Sequence, residues 1–170
     1  MHLILTLASL ALAQEKASEL KENPAYRYWA SCKVGSWVRV SLQIEQGGEK
    51  VDLEQVQKLI ELKDEMAVVE MSGKMKRSVG EVPIPAQKQE IKAKEPADRV
   101  KIDKEGDEEI DAAGRKLACH WYELGVQAGS KPMKLKVWMS TEIPGGAARA
   151  EMTPEGQKTM VLTTVEWEKK

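Results

Sequence analysis

The chain has 170 residues, enough for one domain with a real core, and its 26 Lys and Arg stand against 27 Asp and Glu for a formal net charge of −1. Nucleic-acid binders carry a clustered basic excess, and this balanced, interleaved charge excludes that class. Phe is absent, and five Trp supply most of the aromatic bulk.

Residues 3–13 form an apolar run too short to span a bilayer as an ordinary helix. It closes on Ala11-Leu12-Ala13, a small-x-small pattern followed by polar Gln14. Residues 1–13 therefore read as a signal peptide, although the usual basic start is missing. The expected location is secreted or periplasmic. Residues 14–22 are a polar lead-in, and residues 23–170 form a single β-rich domain.

Asn23-Pro24 is an N-cap followed by proline at the first helical position, so a short helix carries Tyr26, Tyr28 and Trp29. Val38, Val40, Leu42 and Ile44 then alternate with polar residues, and Gly47-Gly48 marks a hairpin turn. Residues 51–63 fit either helix or strand, and the strand is favoured because a tight turn at 63–65 leads straight into Val68-Val69. Residues 66–76 read as a strand with a bulge at Gly73. Pro83 and Pro85 restrict their segment to an edge or a loop. Residues 95–108 are charged and nearly free of large apolar side chains, which predicts a mobile loop. Strands follow at 109–112, 116–126, 133–140, 147–152 and 159–168. In the third of these, 133–140, Met133, Leu135, Val137 and Met139 share one face, and Lys134, Lys136, Trp138 and Ser140 the other. The fold class is mainly β: an antiparallel up-and-down meander forming a curved sheet or half-barrel with one short N-terminal helix.

The segments 23–29, 35–38, 107–109 with 114–121, and 137–146 resemble a group of secreted bacterial β-proteins classed as domains of unknown function. That resemblance implies a curved sheet similar to the half-barrels of LolA/LolB-type lipoprotein carriers. The shared motifs are turn glycines, strand aromatics and a helix cap, so no reactive residue set comes with them.

Chemistry is sparse. Cys119 and His120 are adjacent on a strand, so their side chains point to opposite faces and form no dyad. His120 is the single histidine beyond residue 13, which gives no histidine cluster for zinc; no metal and no cofactor are expected. The acidic run 105–111 lacks the register of a calcium loop. Cys32 and Cys119 allow one disulfide in an oxidising compartment, or two separate buried thiols. Trp37 and Trp138 sit on the wetter faces of their strands, either as a ligand platform or covered by the helix with Tyr26 and Trp29. With Met133 and Met139 on the apolar side, they are the candidate ligand-binding residues. The reading is a non-enzymatic, envelope-associated binding protein holding an apolar or extended ligand or an envelope partner. The rivals are a module that pairs through a strand edge and an enzyme using carboxylates such as Glu109 or Glu123.

The exported form is expected to begin at Gln14. N-terminal sequencing of protein from its host checks this, and intact Met1 in a cytosolic fraction contradicts it.

Overall fold

A computed structural model describes residues 20–46, 49–96, 101–128, 131–156 and 158–170. The signal-peptide run, the Gly47-Gly48 turn and most of the polar lead-in lie outside the described residues. The elements are β1 (Leu20–Glu22), α1 (Pro24–Ala30), β2 (Trp37–Gln46), β3 (Glu49–Lys63), β4 (Met66–Arg77), β5 (Gly80–Lys92), β6 (Lys94–Pro96), β7 (Lys101–Ala112), β8 (Arg115–Ala128), β9 (Lys131–Met139), β10 (Ala147–Pro154) and β11 (Met160–Glu168). The helix begins as its residues dictate: the Asn23 side chain accepts from the Ala25 N–H at 2.9 Å, and Pro24 fills the first turn.

Nine strands form one antiparallel sheet in the order β5-β4-β3-β2-β11-β10-β9-β8-β7. Strands that follow each other in sequence pair through their hairpins. The exception is the central pairing of β2 with β11, which joins the two ends of the chain. The arrangement is an up-and-down barrel cut open between β5 and β7. The sheet curves but does not close. β1 and β6 form a separate two-stranded ribbon.

Cross-strand partners point to the same face, so registers can be read as rows. One row runs Tyr122, Val137, Ala150, Leu162, Leu42, Leu53, Met75, Val82 across eight strands. It is buried at Ala150, Leu162 and Leu42, half-buried on either side, and open at Val82, which is 55% exposed. A second apolar row runs Ile102, Leu124, Leu135, Met152, Met160, and its edge residue Ile102 is 49% exposed. The opposite face carries the row Gly106, Trp121, Trp138, Arg149, Thr163, Ser41, Glu54, Lys74, Pro83.

One sheet has no second layer to bury its apolar face, so it curls. Register shifts in β3, β5, β7, β10 and β11 each insert an extra residue, and such bulges bend and twist strands. The curl brings β7 against β11, and Arg115 at the start of β8 lies 5.2 Å over the Trp167 ring. One end is plugged by α1 and by residues 140–146, where Ile143 and Pro144 are fully buried. Gly145 and Gly146 have φ of 75° and 83°. A Cβ on them would stand 2.8 Å from Trp29 and 2.5 Å from Tyr28, so the helix seats itself on bare backbone.

Residues 51–63 are strand, as expected. The loop expected at 95–108 is strand where it is described, and residues 97–100 lie outside the described residues: Lys94–Pro96 is β6, and β7 begins at Lys101. Its charges alternate around an edge strand, and Lys116, His120 and Glu123 on β8 offset them. Composition suggested a loop because those partners are remote in sequence. The bulge expected at Gly73 falls on the partner strand. Between Met71 and Gly73, β4 advances two residues while β5 advances three, past Pro85. Proline lacks the N–H that a regular ladder needs there. The polar lead-in ends at β1, since Leu20–Glu22 pairs with β6.

The gradient of burial has a direct consequence. Leu42→Ala removes a side chain that is 1% exposed and is expected to cost about 2–5 kcal/mol. Val82→Ala, at the open end of the same row, is expected to stay within about 0.5 kcal/mol. Urea unfolding of both variants measures this, and equal losses would contradict the gradient.

Candidate functional site

On the polar face, Trp121 and Trp138 are direct cross-strand partners. The Lys136 ammonium sits 4.3 Å from the Trp121 ring centre and 4.5 Å from that of Trp138. Arg149 lies 5.4 Å over the other side of the ladder, on Trp138, and its guanidinium is 2.6 Å from Glu151. The Trp138 indole N–H donates to Glu108 at 2.9 Å, and Glu108 also lies 4.0 Å from Lys136. Beneath Trp121 is Gly106, where a Cβ would come 2.9 Å from the indole. The absent side chain is what lets the ring lie flat on β7.

Trp138 is consequently only 5% exposed. It is neither an open platform nor roofed by the helix. Its own face covers it with Lys136, Arg149, Trp121 and Glu108. Trp29 packs instead on Gly145, and Tyr26 donates its hydroxyl to the Lys63 carbonyl at 2.8 Å. Trp37 makes a smaller version of the same motif. Its indole N–H donates to Glu168 at 3.0 Å, and Arg39 lies 5.8 Å over its ring. The Nε atoms of Arg39 and Arg149 are buried without hydrogen-bond partners, each beside an indole.

The four candidate ligand residues do not assemble into one site. Trp37 is on β2 and Trp138 on β9, with β11 and β10 between them. Trp138 aligns through Arg149 and Thr163 with Ser41, four residues along β2 from Trp37. Met133 and Met139 have the other parity and lie at opposite ends of β9. Met139 touches the Gly146 position beside Tyr28, and Met133 packs on the core from the half-open end. The indole–cation face and the apolar face are therefore distinct around Met133, but Trp138 itself joins the buried cluster that holds Leu117 and Cys119.

The Cys32–Cys119 bridge is absent; both are free, buried thiols. The Cys32 thiol, just past the end of the helix, donates back to the Tyr28 carbonyl at 3.4 Å. Burial, with the carboxylates of Glu108 and Glu142, pushes the Cys119 pKa up to about 11. Such a thiol stays protonated and unreactive. His120 faces away from it. Its Nδ1 is 2.8 Å from Asp107, its Nε2 is 3.5 Å from Glu105, and Tyr122 meets its ring edge-on at 4.7 Å. The hydrogen bond to Asp107 raises the His120 pKa most; burial opposes it, and Glu105 adds to the rise. Glu109 and Glu123 do not converge either. Glu109 pairs with Lys116 at 3.3 Å and Glu123 with Lys104 at 3.6 Å, on opposite faces of the sheet. Among the described residues, no three His, Cys, Asp or Glu are grouped to hold a metal ion.

One feature escaped the sequence reading. An open depression of about 400 Å³ lies on the polar face, lined by Ser41, Gln43, Thr159, Val161, Thr163 and Val165. The alternation of Thr and Val at 159–165 is its sequence signal, and strand parity places those side chains together.

His120 yields a pH prediction. A histidine whose folded pKa is raised stabilises fully below its ordinary value of about 6.5, and that contribution is lost as pH rises through the folded pKa. The excess stability of the wild type over His120→Gln is therefore expected at acidic pH and should vanish in alkali. The side chain is 36% exposed, so the difference stays below about 1 kcal/mol. Paired urea titrations across pH measure it, and a constant or rising difference contradicts the assignment.

No family model matches this chain, and no curated protein matches it. Among solved structures it is similar to a protein of Bacteroides fragilis described as an exported-protein candidate with a YmcC-like fold. The two share 8% identity over 81% of this chain and 97% of that one, with a TM-score of 0.49.

Proposed function

We propose that this chain is an exported binding protein, secreted or periplasmic, that holds an apolar or extended ligand along its curved sheet without transforming it. One observation carries the reading: the apolar rows are buried at their centre and open at their ends. Ile102, Leu124 and Leu135 continue the surface of the core outward to the edge, and Met133 packs beside them. Met is unbranched and polarizable, which suits a surface that adapts to a flexible chain. The apolar run at 3–13 supports export.

Catalysis draws less support from the arrangement. The thiol is held protonated, the histidine is on the other face of its strand, and the carboxylates named from the sequence are split between faces and ion-paired.

An apolar fluorescent probe or a fatty acyl chain is expected to bind saturably with micromolar affinity, on the order of 8 kcal/mol. Ile102→Lys should weaken that binding about tenfold, a loss of about 1.4 kcal/mol. Val34→Lys should leave it unchanged, because Val34 is 53% exposed but lies off both rows. Trp emission during titration reads the result. Absence of saturable binding, or equal effects of the two substitutions, overturns the proposal.

A further inference from the structure

The two edges of the sheet are guarded differently. β5 carries Pro83 and Pro85, has a register shift beside them, and is contacted by α1. These are the usual devices against strand addition. From Lys104 to Ala112 β7 lacks the proline and the register shift, and what β7 contacts across the opening of the sheet is β11, with which it forms no ladder. The one shift in β7 lies earlier, between Ile102 and Lys104, and β7 ends the strand order.

What β7 does carry, from Glu105 onward, is charge of one sign. Glu105, Asp107, Glu109 and Asp111 occupy alternate positions, so their side chains share one face at spacings of about 7 Å. All four are exposed, Asp107 most clearly at 88%. Behind them on β8 stand Lys116, paired with Glu109, and His120, between Asp107 and Glu105. The opposite side of β7 is committed inward: Glu108 holds the Trp138 indole, and Ile110 and Ala112 pack on the core. Pairing of β7 with a second β7 would set carboxylates against carboxylates, which is destabilising. Like charge therefore blocks self-association at this edge while leaving its backbone groups open.

We propose that β7 is a docking edge for a partner that adds an extended strand carrying Lys or Arg at alternate positions. Main-chain hydrogen bonds to the free edge would hold the strand, and its cations would fall opposite Glu105, Asp107, Glu109 and Asp111. This interaction is separate from the apolar rows, and either can fail without the other.

The test uses the full chain and a synthetic peptide as long as β7 that alternates Lys with Val and Thr. Its expected behaviour is saturable binding by fluorescence anisotropy, with slowed amide exchange confined to β7. A triple variant, Glu105→Gln with Glu109→Gln and Asp111→Asn, should bind at least tenfold more weakly. It leaves Asp107 to hold His120. The same peptide N-methylated on the amides of one edge keeps every charge and should also lose at least tenfold. Equal binding of the N-methylated peptide would mean plain charge attraction and overturn the proposal. So would undiminished binding by the triple variant, no binding at all, or a peptide-free dimer with protected β7 amides. Should the triple variant fail to fold, the comparison of the two peptides on the wild type decides alone.

Discussion

A single antiparallel sheet must bury one face with no second sheet to press against. Every other feature of this molecule follows from that constraint. The curl supplies the missing layer, and bulges on five strands bend the sheet to make it. Fully burying each of Leu42, Leu59, Leu117, Ile143 and Met152 contributes about 1.5–3 kcal/mol, which is the scale on which the fold is held. Curling is most complete in the middle and at the plugged end, so burial fades toward the free corners. The half-open apolar rows are the direct result.

Burial also changes face along β8. Leu117 and Cys119 are buried while Ala118 is exposed, yet farther along it is Tyr122 and Leu124 that continue the apolar rows. The start of β8 runs past the end of β9, where His120 pairs with Met139, so nothing on β9 flanks it there. Buried Ile143 and the proximity of Glu142 to Cys119 place residues 140–146 against that overhang. A strand that serves two environments cannot keep one dry side along its whole length.

The polar face works on a smaller energy scale. Exposed ion pairs contribute about 0–1 kcal/mol and exposed cation–π contacts about 0.5–1 kcal/mol. In the ladder Trp121, Lys136, Trp138, Arg149 the indole of Trp138 belongs to the buried core, and the cations over it add contacts of this smaller scale. Their effect is to cover two large indoles with long side chains, which leaves that face wet despite its aromatic content. The edges show the same economy of means: proline and a bulge close β5, whereas β7 relies on carboxylates alone.

The local features were legible in the sequence. Alternation with period two marked β2, β4, β8, β9, β10 and β11, because side-chain direction along a strand is fixed by the backbone. Asn23-Pro24 marked the helix, because its cap is made within two residues. The opposite orientations of Cys119 and His120 followed from the same rule. What the sequence left open was everything set by a partner far along the chain. β7 looked like a loop because the Lys and His that offset its acids come from β8. Trp138 looked like a platform because its cover comes from β7 and β10 as much as from its own strand. The pairing of β2 with β11, the opening between β5 and β7, and the separation of the two cysteines depend on strand order. Strand order is decided by how an unpaired sheet buries its own face, and no local pattern of residues encodes that.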